Sequence, residues 1–152
     1  MGLDMYLSRR SYIGNQYRDP EHKIKLNGSE KKLNEHSINQ DKIQYITEGV
    51  GYWRKANEIH HWFVTECQEG IDDCRETPVS KDDLKKLLST VKKVLKDPDK
   101  ARTLLPTHEG FFFGSYQYDQ NYIEDLEYTE KLLNEILDRE VDHADYFYQS
   151  SW

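Results

Sequence analysis

The sequence predicts an α+β fold, a small mixed or antiparallel sheet that uses both chain ends and packs against about three helices. Both ends of the chain alternate with period two, over Leu3 to Tyr12 and over Tyr146 to Ser151. Between them, three stretches starting near Tyr52, Ser80 and Asp119 repeat apolar residues at helical spacing. No internal repeat, heptad series or low-complexity tract competes with that pattern.

In the first stretch Leu3, Met5 and Leu7 alternate with Asp4, Tyr6 and Ser8, which reads as a strand. Residues 14–41 are polar, with Asn27-Gly28 as a turn signal, and are expected to form a loop excursion on the surface. A loop of that length is usually functional or mobile. Lys42 to Glu48 places Ile43, Tyr45 and Thr47 on one face and is a second strand, punctuated by Gly49 and Gly51.

A helix is expected over residues 52–69. Tyr52, Ala56, Ile59, Phe63 and Cys67 form its buried stripe, widened by Trp53, His60 and Val64. Arg54, Asn57, Glu58, His61, Thr65 and Gln68 fall on the other half of the wheel and are expected to face a cleft. Arg54 and Glu58, four apart, are expected to pair. Gly70 stops the helix.

Cys74 to Val79 reads as a short extended segment. Ser80 opens a second helix with a capping box that uses Asp83, and Leu84, Leu87, Leu88, Val91, Val94 and Leu95 are its core stripe. Asp97-Pro98 ends it. Ala101 to Pro106 adds one turn. The third helix covers Asp119 to Arg139, with Ile123, Leu126, Thr129, Leu133 and Ile136 inward. The aromatic end, Tyr146 to Ser151, is expected to lie as a strand beside the first.

At 152 residues the chain is read as one domain, 1–152. Charged residues make up 32% and hydrophobic ones 36%, a balance that borders on disorder. Eleven tyrosines, five phenylalanines and three tryptophans argue for a folded core, because disordered chains are poor in aromatics. The acidic net charge of -7 favours solubility and opposes binding to phosphate backbones, so nucleic acid is not an expected partner. Two cysteines make no disulfide framework. No apolar run suits a signal peptide or a membrane span. Tyr6 breaks the myristoylation pattern that Gly2 begins. No membrane is therefore expected, and reduced cytosol is the expected compartment.

Four constellations bear on chemistry. His60, His61, Cys67, Asp72, Asp73, Cys74 and His108 suggest zinc by residue type, but their spacing does not. The cysteines are seven apart, and adjacent helical histidines diverge by about 100°. No metal is expected, and Cys67 reads as a small core residue. Cys74 is a nucleophile only if a histidine and an aspartate gather behind it, which nothing in the sequence fixes. A ligand pocket is the third: Trp53, Arg54, Asn57 and His61 with Asp72 and Asp73 could hold a charged small molecule. Arg forks onto a carboxylate or phosphate, and His titrates in the useful range. The plain alternative is a solvated helix face with local ion pairs. The fourth is an aromatic wall of Phe112, Tyr116 and Tyr118 for stacking, set against a core role for the phenylalanines between Gly110 and Gly114. Phosphate-loop, dinucleotide and serine-hydrolase signatures are absent. The chain thus shows no catalytic residue and calls for no cofactor, which weighs against an enzyme without excluding one.

The opening MGLDMYL, the block Tyr52-Trp53-Arg54-Lys55-Ala56-Asn57 with Ile59-His60 and Trp62-Phe63-Val64, the triplet Asp72-Asp73-Cys74, and Gly110 to Ser115 with Tyr118-Asp119 go together. In these motifs the chain resembles a group of small proteins carried by bacteriophages and prophages. The resemblance spans most of the chain and is weakest over 14–41. That group has no established activity, so no catalytic residue carries over. The resemblance implies an accessory role in the cytosol of a bacterial host cell. With the acidic charge and the surplus of tyrosine and tryptophan, it leads to the expectation of a non-enzymatic protein that binds a host or phage macromolecule. The rival is a small-molecule or nucleotide-binding protein using the pocket above, and a homodimer stays open.

Overall fold

Alternation at the two chain ends sets the architecture. The structure, a computed structural model, describes residues 2–14, 42–110, 112–139 and 144–152. The chain runs through strand β1 (Asp4–Tyr12), strand β2 (Tyr45–Arg54), helix α1 (Asn57–Cys67) and strand β3 (Thr77–Val79). Helix α2 (Lys81–Lys96) follows, then a 3-10 turn at Pro98–Lys100 and the single turn of α3 (Ala101–Leu104). Helix α4 (Gln120–Leu137) and strand β4 (Ala144–Ser151) complete it. The excursion expected over 14–41 lies, apart from Gly14, outside the described residues.

The sheet is antiparallel in the order β2-β1-β4-β3, so the strands from the two chain ends are its centre. Leu3, Met5 and Leu7 point into the core together with Tyr146, Tyr148 and Ser150, as their alternation predicts. The short edge strand β3 carries Pro78, whose missing N–H is harmless there. The helices cover this one face. The core joins Leu3, Met5, Leu7 and Trp53 of the sheet with Ile59 and Phe63 of α1, Leu84, Leu87 and Val91 of α2, and Leu126 and Leu133 of α4.

Helix ends follow the sequence signals. Ser80 Oγ accepts the Asp83 N–H at 3.0 Å, and the Asp83 carboxylate accepts the Ser80 N–H at 2.9 Å, which closes the capping box. Asp119 caps α4 by accepting the N–H groups of Asn121 and Tyr122. Among the described residues no helix is long and apolar enough to cross a membrane.

One expectation fails, and its failure relocates two candidate site residues. Residues 52–69 are not a continuous helix. Tyr52, Trp53 and Arg54 continue β2 opposite Tyr6, Met5 and Asp4, and the helix starts only at Asn57. Gly49 and Gly51, read as a stop, lie inside the strand. The register steps from Leu7↔Gly51 to Ser8↔Gly49, so Val50 is the extra residue of a β-bulge. A Cβ on Gly51 would stand 2.8 Å from Leu132 Cδ2, so glycine there lets α4 lie close on the sheet. Trp53 therefore points into the core while Tyr52 and Arg54 point out, a period-two arrangement. The turn from strand to helix is made at Lys55, whose φ of 64 is left-handed. Its backbone N–H is held by Leu3 O at 2.9 Å.

Candidate functional site

Helix α1 is apolar or buried over most of its circumference, with Ile59, His60, Trp62, Phe63 and Val64 all buried. Such a helix lies mostly inside a protein, and this one meets hollows at Glu58 and along His61, Trp62, Thr65 and Glu66. Asn57, Glu58 and Gln68, expected on an open polar side, are buried as well. Each then needs a partner, because an unpaired buried polar group is costly.

Gln68 donates to Thr77 Oγ1 at 2.9 Å and ties the end of α1 to β3. Asn57 organises the loop that follows α3. Its amide donates to Phe113 O at 3.1 Å and Ser115 O at 2.9 Å, and its oxygen accepts the His108 N–H at 2.9 Å. One side chain thereby fixes both limbs of the glycine-flanked aromatic loop. Gly114, with φ of 91, lies so close to Lys55 that a Cβ would meet its Cβ at 3.0 Å.

His60 is fully buried and lies in a chain of hydrogen bonds. Its Nδ1 is 2.7 Å from the Tyr148 hydroxyl, its Nε2 is 2.9 Å from Asp72 Oδ2, and Asp72 Oδ1 accepts the Trp152 indole N–H at 3.1 Å. Burial lowers the pKa of His60, so the ring is neutral at neutral pH. One tautomer satisfies every group: Nε2–H donates to Asp72 and Nδ1 accepts from Tyr148. The order carboxylate, imidazole, hydroxyl has the layout of a nucleophilic relay. Tyr148 closes that possibility, because it is fully buried, stacked on Phe63 at 4.0 Å, and held as a neutral phenol by burial. The chain of bonds fastens α1, the 71–75 turn and the C-terminal strand together.

Glu58 stands apart. It is only 3% exposed, and its Oε1 has no hydrogen-bond partner among the described residues. It borders a cavity of about 310 Å³ between the strand-to-helix turn and the start of α4. Arg54, Lys55, Ser115, Asp119, Tyr122 and Asp125 also line it. Burial pushes the pKa of Glu58 up to about 8, and the charges of Asp125 and Asp119 push the same way. Burial likewise raises Asp125 to about 6, helped by Glu124 and Asp119. Arg54 does not neutralise Glu58 as its spacing suggested, because on the strand it pairs with Asp4 at 3.1 Å instead. Tyr52 donates to that same Asp4.

The six side chains read as one pocket are thus dispersed. Arg54 alone lines the Glu58 cavity. Trp53 is a core residue whose indole N–H donates to Thr129 Oγ1 at 2.8 Å. Asn57 is spent on the loop and Asp72 on His60. His61 stacks on His108 with ring centroids 4.5 Å apart, beside a second hollow lined by Thr65, Pro106 and the other side of Glu58. Burial, and then His108, lower its pKa. Asp73 accepts the Arg75 N–H and faces its guanidinium at 3.6 Å.

The aromatic wall is likewise divided. Phe112 is exposed at a left-handed φ of 65, whereas its neighbour Phe113 is buried beside His60. Tyr116 donates to Gly110 O at 3.2 Å. Tyr118 packs inward, against Tyr122 and under the Arg102 guanidinium. Both cysteines are free thiols, and burial raises Cys67 to about 12, far from a thiolate nucleophile. Among the described residues no three His, Cys, Asp or Glu side chains gather as metal ligands.

The sheet face away from the helices is the other notable surface. Tyr6 and Tyr52 pair across β1 and β2 at 5.5 Å, Tyr12 and Tyr45 pair at 5.1 Å, and all four are exposed. Arg10 lies over the Phe147 ring at 4.2 Å and also pairs with Glu76 at 3.0 Å. Sequence reading missed this face because it placed Tyr45 on another strand segment and Tyr52 on a helix. The cross-strand tyrosine pairs appear only once the β1–β2 register is known.

No protein-family model, curated protein or solved structure matches the chain.

Proposed function

We propose that this chain is a non-enzymatic accessory protein of a phage or prophage that binds a host or phage protein through the open face of its sheet. One observation carries the reading: tyrosines stand in exposed cross-strand pairs on the face the helices leave uncovered. Tyrosine and arginine supply rigid contact area with polar tips, the side chains that anchor protein interfaces. A protein partner fits better than a nucleic acid, since Arg10 and Arg54 are already neutralised by Glu76 and Asp4. With a net charge of -7 there is little to attract phosphates. The bacterial cytosol as the setting rests on the sequence resemblance. The dispersal of Trp53, Arg54, Asn57, His61, Asp72 and Asp73 takes support from the rival reading of one shared pocket.

The test is affinity capture from bacterial lysate with the wild-type chain and with the double variant Tyr6→Ser and Tyr52→Ser. The proposal expects a stoichiometric protein partner on the first and none on the second. Absence of a partner on the wild type, or equal recovery on both, overturns it.

A further inference from the structure

We propose that the cavity beside Glu58 is a binding site for a small organic cation, whose primary ammonium group seats against the Glu58 carboxylate. The site is independent of the protein-binding face and shares only Arg54 with it.

Three observations point to such a ligand. The first is Glu58 itself: the residue lines the cavity, is only 3% exposed, and its Oε1 has no hydrogen-bond partner among the described residues. Buried polar atoms in native proteins are paired with protein, water or ligand. The second is the charge of the lining. Glu58 shares the cavity with Asp119, Glu124 and Asp125, against Arg54 and Lys55. Arg54 is taken by Asp4, which leaves the lining net negative. Burial is the main cause that raises Glu58 and Asp125, repulsion from Asp119 adds to both, and a positive guest relieves that repulsion. The third is size and donor chemistry. At about 310 Å³ the cavity lies at the lower end of those that hold small molecules, well beyond a bare ion. The described acids do not gather as a metal site. An ammonium has three N–H donors to satisfy. Besides the carboxylates, the lining includes Ser115 and Gln117, whose oxygens are neutral acceptors, and the aromatic Tyr122.

Proton and cation then compete for one carboxylate. The charged and titratable groups that share a hollow with Glu58 are Arg54 from the end of β2, Lys55 from the turn, Asp119, Tyr122, Glu124 and Asp125 at the start of α4, and His61 and Glu66 on its own helix. Tyr122 stays neutral, because burial raises its hydroxyl and Leu105 O accepts its proton at 2.8 Å. His61 is held neutral by burial. Glu58 and, at lower pH, Asp125 are thus the groups that a bound cation ionises.

The experiment is titration calorimetry of the whole chain with 1,4-diaminobutane, at about pH 6 and about pH 8.5 and in two buffers of different ionisation heat. Binding is expected to be at least about tenfold tighter at the higher pH, and near neutral pH to release about one proton per diamine bound. Glu58→Gln keeps the shape of the side chain, and is expected to weaken binding at about pH 8.5 by about tenfold and to abolish the proton release. Asp125→Asn, at a half-buried position, is expected to weaken it several-fold and gives a second reading should the first variant not fold. The proposal is overturned by the absence of binding heat at millimolar diamine, or by full affinity in both variants. Magnesium bound in a Glu58-dependent manner while the diamine is not would overturn it equally.

Discussion

Glu58 and His60 stand two residues apart on one helix, and both are almost wholly buried, yet the structure treats them in opposite ways. His60 has a partner at each ring nitrogen, and those partners, Asp72 and Tyr148, are themselves fixed. Glu58 has an oxygen with no partner among the described residues, acidic neighbours and a cavity beside it. A satisfied buried network rigidifies a fold, whereas an unsatisfied one marks a place where something is missing. The site with the look of catalytic chemistry is therefore a clamp, and the helix position read as half of a surface ion pair is the one left with an unpaired oxygen among the described residues.

The largest effect expected is on the His60 side. His60→Ala removes the ring and strands both Tyr148 and Asp72, at a cost of about 3–4 kcal/mol in urea unfolding. A loss below about 1 kcal/mol would show that the network is not a clamp. Its pH dependence has a definite sign. Because the folded pKa is depressed, the His60 contribution is complete above the ordinary value of 6.5 and is lost as pH falls below it. The gap between wild type and His60→Ala should narrow in acid.

Glu58 gives the opposite sign and the next largest effect. Its folded pKa is raised, so its contribution is complete below the ordinary 4.5 and is lost as pH rises through about 8. Glu58→Gln should therefore match wild type at about pH 4.5 and exceed its stability by about 3 kcal/mol at about pH 8.5, as read from unfolding midpoints. Equal stabilities at both pH values would mean that the carboxylate is solvated.

Trp53 sharpens the rule with a simpler case, a buried donor that has one partner. Thr129→Val keeps the volume and removes the acceptor of the indole N–H, with an expected loss of about 1–2 kcal/mol in thermal unfolding. The smallest effect belongs to the open sheet face. Tyr6→Ser and Tyr52→Ser each should cost no more than about 1 kcal/mol, because a cross-strand aromatic pair is worth little in water. Loss of partner capture without loss of stability would separate binding from folding on that face.

How much of this was legible in the sequence follows from which signal was local. Alternation at Leu3 to Leu7 and at Tyr146 to Ser150 identified the two central strands, since period two needs no knowledge of the neighbour. Ser80, Asp83 and Asp119 announced their helix ends by short-range capping chemistry. Tyr52 to Arg54 failed because three residues fit a helical and a strand period equally well, and the cross-strand pairing that decides is non-local. Glycines inside β2 then misled, since Gly51 serves the close approach of Leu132, which no local pattern encodes. Glu58 was hidden by the same frame error, though one clue was present. Trp62, four residues on and on the same helix face, already required that face to be covered.

The contrast between the two buried groups reduces to the ionisation of one carboxyl. Carbon-detected NMR of the Glu58 side chain across a pH titration tests it directly. The structure predicts a midpoint near about 8, lowered when 1,4-diaminobutane is added. A midpoint near the ordinary 4.5, unmoved by the diamine, would contradict both the burial of this group and the site proposed around it.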